Sequence, residues 1–350
     1  MAVGQLVFPK KTLAHAMVEG RTILLRADYN VPMSGGKITD DFRLRASLPT
    51  LNYLLRHGAS VVVISHLGRP DGAIDAQYSL APIAKNLEKL LARPVKFVPD
   101  CIGDKVKVAT RRMRAGEVVL LENLRFHPGE EANDAEFARA LAKDTNAKLF
   151  VQDGFGVAHR AHASTVAITD FLPSVAGLLV EREWLSVKNV VRNPNRPLVA
   201  LIGGAKIADK TPLIEKMIDV ADQIIIGGAI ANNFLIQQGF PVGASLWKPD
   251  MDEVVNKIIV RARERYGGEF RQRFIVPVDV AVSRNGNPDG ARHVLARTAV
   301  KPNNAIFDIG TKSISRAVEA IERAGTVVWN GTLGVAEKPN FAHGSSRAAL

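Results

Sequence analysis

The chain has 350 residues, which is long enough for two ordinary domain cores. Hydrophobic residues make up 47% and charged residues 23% of it, so its composition excludes a disordered chain, and no apolar run reaches the ~18 residues of a membrane span. The net charge of +11 favours anionic ligands such as phosphates. One cysteine, Cys101, excludes an internal disulfide, and the opening residues lack a signal-peptide pattern, so a reducing cytoplasm is expected.

In the first half, apolar β-branched runs alternate with helical patterns. Strands that are apolar throughout and are separated by helices are typical of parallel βαβ units. The predicted strands lie within residues 22–30, 60–69, 95–100, 117–125 and 148–156, and the clearest helices within residues 45–58 and 134–145.

The second half repeats this arrangement, with predicted strands within residues 196–204, 223–230, 273–282, 305–310 and 326–332. Residues 178–191 have a helical pattern, and NPNRP at 193–197 can only be a loop. The chain therefore predicts two doubly wound parallel-sheet (Rossmann-like) domains joined by a helical hinge. The predicted domains are residues 1–186 and 187–350.

The predicted strands of the first half end in polar and cationic side chains. Since ligands of open parallel sheets bind beyond the carboxyl ends of the strands, these side chains should share one site. Guanidinium groups bind carboxylate and phosphate in a bidentate way, so the expected ligand is a compact acid that carries both groups. The residues are Arg26, Asp28, Asn30, His66, Arg69, Arg125, His159 and Arg160.

The predicted strands of the second half end in glycines, at Gly203-Gly204, Gly227-Gly228, Gly310 and Gly331. Glycine there lets a phosphate or a flat ligand approach the backbone, although a tight turn explains it equally well. Lys206 and Lys210 are four residues apart and are predicted to share one face of a helix. The GxxxxGK[ST] motif is absent, so these features alone are weak evidence for a nucleotide.

Longer motifs then identify a family. RADYNVP, ITDDFRLRASLPTL, SHLGRP, LLENLRFHPGEE, FVQDGFGVAHRAHAST, GGAKIADK, IVPVD and WNGTLGV resemble the signatures of phosphoglycerate kinases, in their order and spacing. The resemblance runs from about residue 21 to the last residue. It implies a glycolytic phosphotransferase with a carboxyl acceptor, whose first domain binds 3-phosphoglycerate or 1,3-bisphosphoglycerate and whose second binds ADP or ATP with Mg²⁺.

The resemblance also implies a role for individual residues. Arg43 would orient the reacting carboxylate and Lys206 would stabilise the transferred phosphoryl group, so these two are the expected catalytic residues. The expected substrate-binding residues are Asp28, Asn30, Arg43, His66, Arg69, Arg125 and Arg160. The expected nucleotide-binding residues are Lys206, Lys210, Gly227, Gly228, Gly310 and Glu337.

The chain also departs from the family pattern. It ends at FAHGSSRAAL, where the family continues with a GGGDT loop whose Asp faces Mg²⁺. The second domain is therefore expected to be incomplete at its C-terminus, with no metal ligand in this chain. An alternative is an impaired remnant that binds 3-phosphoglycerate without efficient turnover. We expect a cytoplasmic monomer without membrane or nucleic-acid partners, since only the pI of 9.8 suggests nucleic acid.

Overall fold

A computed structural model describes residues 8–350 of the chain. The contacts divide it into two compact units, with the boundary between Lys188 and Asn189. Each unit has its own buried apolar clusters on both faces of a parallel sheet. The observed α/β architecture with parallel sheets confirms the predicted fold class.

The first unit is built on a six-stranded sheet in which every pair of neighbours is parallel, in the order β5-β6-β4-β1-β7-β8. Two of its inner strands, β4 and β6, are buried along their whole length because helices cover both faces of the sheet. A separate antiparallel hairpin, β2–β3, follows β1. The strands are β1 (Thr22–Arg26), β2 (Met33–Ser34), β3 (Lys37–Ile38), β4 (Ser60–Ile64), β5 (Val95–Val98), β6 (Val118–Leu121), β7 (Leu149–Gln152) and β8 (Ser174–Ala176).

The helices of the first unit have local signals that fix their ends. Asp134 begins one of them by accepting a hydrogen bond from the backbone N–H of Phe137 at 2.7 Å. The last helix is the one predicted for residues 178–191, and the boundary between the units falls within it. The helices are α1 (Phe42–Arg56), α2 (Ala81–Leu91), α3 (Asp104–Thr110), α4 (Pro128–Glu131), α5 (Ala135–Asp144) and α6 (Leu178–Arg192).

The second unit contains two sheets. A four-stranded parallel sheet has the order β11-β10-β9-β15, and a three-stranded antiparallel sheet has the order β13-β12-β14. The strands are β9 (Leu198–Ile202), β10 (Gln223–Ile226), β11 (Phe274–Ile275), β12 (Asp279–Arg284), β13 (His293–Ala296), β14 (Asn304–Ile309) and β15 (Thr326–Asn330).

One predicted strand of the second half is therefore wrong as a single element. The run 273–282 divides into β11 in the parallel sheet and β12 in the antiparallel sheet. Pro277 lies between them and has no N–H to donate to a ladder, so the run breaks there. The helices of this unit are α7 (Ile207–Val220), α8 (Ile230–Gln237), α9 (Asp252–Tyr266), α10 (Phe270–Arg273), α11 (Thr311–Glu322) and α12 (His343–Ala349).

Cys101 lies in the core of the first unit with no exposed surface. Its Sγ donates a hydrogen bond to the backbone carbonyl of Glu122 at 2.9 Å. Burial, followed by the nearby negative charge of Asp100, raises the pKa of the thiol well above its usual value. Within residues 8–350, none of the helices combines the length and the apolar character needed to cross a membrane.

Candidate active site

The carboxyl ends of four adjacent strands bring the predicted substrate-binding residues together. These strands, β6, β4, β1 and β7, are neighbours in the first sheet and run in the same direction. Each is followed by one or more of the predicted side chains, so residues far apart in sequence share one edge. Asp28 and Asn30 follow β1, His66 and Arg69 follow β4, Arg125 follows β6, and Arg160 follows β7.

His66 is at the centre of this cluster. Its side chain is buried, and burial lowers the pKa of the imidazole far below its usual range. Four positive charges lower it further, those of Arg26, Arg125, Arg160 and Arg43. The sequence suggested a cationic His66. Burial and four nearby guanidinium groups instead favour the neutral ring, because a positive charge on it would be both desolvated and repelled.

Two arginines of the cluster each have a buried Nε donor without a partner. The Nε atoms of Arg125 and Arg160 are buried and make no hydrogen bond to the described residues. Arg125 is held in place by its Nη1, which donates to the carbonyl of Gly68 at 2.7 Å, and by Glu131, whose Oε1 lies 2.9 Å from Nη2. Buried donors of this kind are rare in folded proteins, and the oxygens of an anionic ligand would satisfy them.

Arg43 reaches the same edge from α1. Its Nη1 contacts Oδ2 of Asp28, although the two residues are far apart in sequence. Gly156 lies against this pair, because a Cβ at that position would be 2.6 Å from Oδ2 of Asp28. Asn30 is fixed by its Oδ1, which accepts a hydrogen bond from the N–H of Gly68 at 2.9 Å. All seven predicted substrate-binding residues thus belong to one unit, and contacts or mutual charge effects connect them.

Arg26 was predicted to share the ligand site at the strand ends, but it is buried beneath the cluster, together with two residues that were not predicted to matter. The guanidinium of Arg26 has no exposed surface, and its Nε donates to Oγ of Ser164 at 2.8 Å. Oγ of Ser164 donates in turn to Oε1 of Glu130 at 2.6 Å. An arginine between apolar residues at the end of a strand indicates a buried positive charge, which needs a carboxylate to balance it. The sequence does not indicate which carboxylate this is.

The second unit places glycines where three loops meet. A Cβ at Gly228 would lie 2.5 Å from the backbone nitrogen of Gly204, and one at Gly227 would lie 2.6 Å from Cδ2 of Leu333. The N–H of Gly204 donates to the carbonyl of Thr332, and the N–H of Gly228 donates to that of Leu333. These glycines are therefore explained by close packing of the loops after β9, β10 and β15, and their contact with adenosine stays a prediction.

The two predicted lysines flank the start of α7. Lys206 is the residue before this helix, and Lys210 lies in its first turn, so they do not share a helix face as the sequence suggested. The backbone at Gly204 has a positive φ of 99°, which delays the start of the helix. Nζ of Lys210 contacts Oδ1 of Asn330 at the end of β15. Lys206 is exposed.

The remaining predicted nucleotide residues lie outside this group of loops. Gly310 precedes α11, and a Cβ there would lie 2.3 Å from Cγ of Asp279, whose carboxylate accepts hydrogen bonds from the first turn of the helix. Glu337 lies in an exposed turn after β15. A cavity of about 10 Å³ between Gly228 and Asp308 includes Asn232, whose buried Oδ1 has no partner among the described residues.

Mg²⁺ in nucleotide sites is usually bound by one or two carboxylates together with the substrate phosphates. Between residues 8 and 350, no group of three or more His, Cys, Asp or Glu side chains is arranged to hold a metal ion. The cations Lys206 and Lys210 instead fit the phosphates that a magnesium ion accompanies. The absence of a metal ligand from this chain stays a prediction.

Comparison with known proteins decides the family. The family model for phosphoglycerate kinase matches residues 13–350. The chain belongs to the phosphoglycerate kinase family. The phosphoglycerate kinase of Pelotomaculum thermopropionicum is 43% identical to it over 340 residues, which are 97% of this chain and 85% of that protein. The family resemblance of the motifs is thereby confirmed.

Two solved phosphoglycerate kinase structures have the same fold. The enzyme from Coxiella burnetii has a TM-score of 0.79 at 35% identity, and the enzyme from Pyrococcus horikoshii OT3 has a TM-score of 0.81 at 29% identity. Each comparison covers 97% of this chain and 85% of the other chain. The similarity to phosphoglycerate kinases therefore includes both units and the strand ends that carry the candidate site.

Proposed function

We propose that this chain catalyses the phosphoglycerate kinase reaction of glycolysis, the reversible phosphoryl transfer between 1,3-bisphosphoglycerate with ADP and 3-phosphoglycerate with ATP. The observation that carries the proposal is the cation cluster at the carboxyl edge of the first sheet, with buried guanidinium donors that lack partners. Family membership supplies the reaction class.

In this proposal the first unit binds the glycerate substrate. Arg69, Arg125 and Arg160 face the 3-phosphate, whose oxygens satisfy the buried Nε donors of Arg125 and Arg160. His66 belongs to the same patch. Asp28 and Asn30 hold the hydroxyl and carboxylate region, and the contact between Arg43 and Asp28 keeps Arg43 at this edge.

The chemistry needs positioned charge rather than a proton acceptor. The accepting carboxylate is already ionised near neutral pH, so it attacks phosphorus without a general base. Arg43 orients this carboxylate, and Lys206 neutralises the charge that spreads over the phosphoryl oxygens during transfer. Both residues are exposed, so they are accessible to the two substrates.

The second unit binds the nucleotide in this proposal. Lys210 holds its phosphates, and Gly227, Gly228, Gly310 and Glu337 line the adenosine. When bound to the nucleotide, magnesium would neutralise part of the phosphate charge beside Lys210. We further propose that the protein is a monomer and that it is located in the cytoplasm. The single free cysteine supports the second of these proposals. No observation favours the alternative of an impaired remnant, and no motif supports nucleic-acid binding.

Calorimetry with 3-phosphoglycerate tests the proposal together with an assay for ATP formation. Arg69→Ala should weaken binding by ~1.5–3 kcal/mol, the range for a charge-assisted hydrogen bond. Arg112→Ala is the control, because this exposed arginine precedes β6 and so lies toward the opposite end of the strand. Unchanged affinity in Arg69→Ala would remove the phosphate assignment, and no ATP formation by the unaltered chain would overturn the proposed function.

A further inference from the structure

Beneath the cation cluster, four buried side chains form a continuous series of hydrogen bonds. Oε1 of Glu130 accepts from Oγ of Ser164 at 2.6 Å, and this Oγ accepts from Nε of Arg26 at 2.8 Å. Nη2 of Arg26 lies 3.2 Å from Nδ1 of His66. Glu130, Ser164 and Arg26 have no exposed surface, and only 3% of His66 is exposed.

Chemistry fixes the direction of every bond in this series. A guanidinium can only donate, so both Oγ of Ser164 and Nδ1 of His66 must accept from Arg26. The serine hydroxyl then has its own hydrogen free, and it donates that hydrogen to the carboxylate of Glu130. Because Nδ1 of His66 accepts, the single proton of a neutral imidazole resides on Nε2.

We infer that Glu130 and Ser164 are positioning residues that hold Arg26 against His66, so that His66 presents a fixed Nε2–H donor to the anionic substrate. This inference rests on the proposed function for the identity of that substrate. It assigns His66 the role of a neutral donor within a cationic patch, in which the arginines supply the charge. Among residues 8–350, none forms a hydrogen bond with Nε2 of His66, so this donor is available.

The charges around both ends of the series agree with this assignment. Burial lowers the pKa of His66, as do the positive charges of Arg26, Arg125, Arg160 and Arg43 on the surrounding elements. Burial alone would raise the pKa of Glu130, but His162, Arg26 and Ser164 lower it below its usual value. The carboxylate therefore stays charged and balances the buried guanidinium of Arg26.

A charge-balancing role for Glu130 makes the opposite prediction. If Glu130 only compensated the surrounding positive charge, Glu130→Gln would raise the net charge of the patch and strengthen binding of an anion. If it positions Arg26 and His66, the same variant should weaken binding. A neutral amide accepts the hydrogen bond of Ser164 less strongly than a carboxylate does, so Arg26 is held less firmly against His66. The two roles thus differ in the sign of one measured change.

Nitrogen-15 NMR of the unaltered protein without substrate tests the tautomer directly. The His66 signals should show a protonated Nε2 and an unprotonated Nδ1, with no titration from about pH 5.5 to about pH 8. A charged ring within this range, or a proton on Nδ1, overturns the inference. This experiment requires no variant to fold and does not depend on the proposed function.

Calorimetry then tests the positioning role. Ser164→Ala and Glu130→Gln should each raise the dissociation constant for 3-phosphoglycerate about tenfold, while the affinity for Mg-ADP stays unchanged. Glu136→Gln, which alters an exposed acid on α5, is the matched control. Unchanged or tighter binding in both variants overturns the inference. If the unaltered protein fails to bind 3-phosphoglycerate, the proposed function fails instead, and the tautomer result stands alone.

Discussion

Lys206 shows how a single residue can affect rate more than binding. Its side chain is exposed just before α7, and no ion pair to a described acid restrains it. A cation that meets charge only as it develops in the transition state lowers the barrier without strengthening substrate binding equally. Lys206→Ala should therefore lower kcat by ~10²-fold or more and leave KM nearly unchanged.

Steady-state kinetics in both directions measure this effect. Lys216→Ala is a suitable control because Lys216 is an exposed lysine on the same helix, at a greater distance from the glycine loops. If Lys206→Ala raised KM and kept kcat, Lys206 would be a ground-state ligand of the nucleotide, contrary to the proposed role.

Asp153 links the stability of the first unit to pH. It is buried, its Oδ1 accepts from the N–H of Leu179 at 2.9 Å, and its Oδ2 has no partner among the described residues. Burial raises the pKa of this carboxyl to about 6 from its usual 3.8. Because the folded protein holds the proton more tightly, this contribution to stability is complete below pH 3.8 and is lost as the pH rises through about 6, in total ~3 kcal/mol.

Asp153→Asn removes this dependence, because the amide is neutral at every pH and can still accept from Leu179. Urea unfolding at about pH 5 and about pH 7 should therefore show a smaller loss of stability in the variant than in the unaltered chain. Asp170→Asn, at an exposed aspartate of the same unit, should leave the loss unchanged. An equal pH dependence in Asp153→Asn and the unaltered chain would contradict the assignment.

Only part of the candidate site can be predicted from the sequence. Polar residues that directly follow apolar runs are predicted to lie together at the carboxyl edge of a sheet. The structure does bring Asp28, His66, Arg125 and Arg160 to one edge. The charge state of His66 is not predictable in this way, because it depends on burial and on guanidinium groups from several elements. Glu130 and Ser164 lie within matched motifs, but only the folded chain brings them to Arg26.

At the scale of elements, the loops after β9, β10 and β15 depend on glycine for packing. Gly228 has a φ of 62°, and an added Cβ would lie 2.5 Å from a backbone atom that cannot rotate away. Gly239 has a similar φ of 80°, but no heavy atom lies within 4 Å of an added Cβ. Gly228→Ala should therefore cost ~3 kcal/mol or more, and Gly239→Ala ~1 kcal/mol for the backbone alone.

Denaturant unfolding of both variants checks this difference, with Gly239→Ala as the matched control for the left-handed backbone. Equal destabilisation would mean that the loops can separate at little cost, contrary to their packing in the structure.

The division of the run 273–282 between two sheets shows the limit of prediction at this scale. An apolar run indicates a strand, and Pro277 indicates a break, but the sheet that each part joins depends on distant partners.

At the scale of the whole molecule, the two units have separate cores and separate predicted ligands. The apolar clusters of the first unit contain no residue beyond the boundary at Lys188, and those of the second unit are built mainly from β9 onward. A ligand stabilises the part of the chain whose folded state forms its site. We therefore expect 3-phosphoglycerate to protect the first unit against opening more strongly than Mg-ADP does.

Cys101 makes this expectation measurable, because the rate at which its thiol is labelled reports how often the core of the first unit opens. With its sulfur enclosed and its proton tightly held, it should react with a disulfide reagent only during excursions that expose this core. Saturating 3-phosphoglycerate should slow the labelling rate by ~100-fold at a concentration 100 times its dissociation constant. Mg-ADP at the same relative concentration should slow it much less, and equal slowing by both ligands would show that the core opens only when the entire chain does.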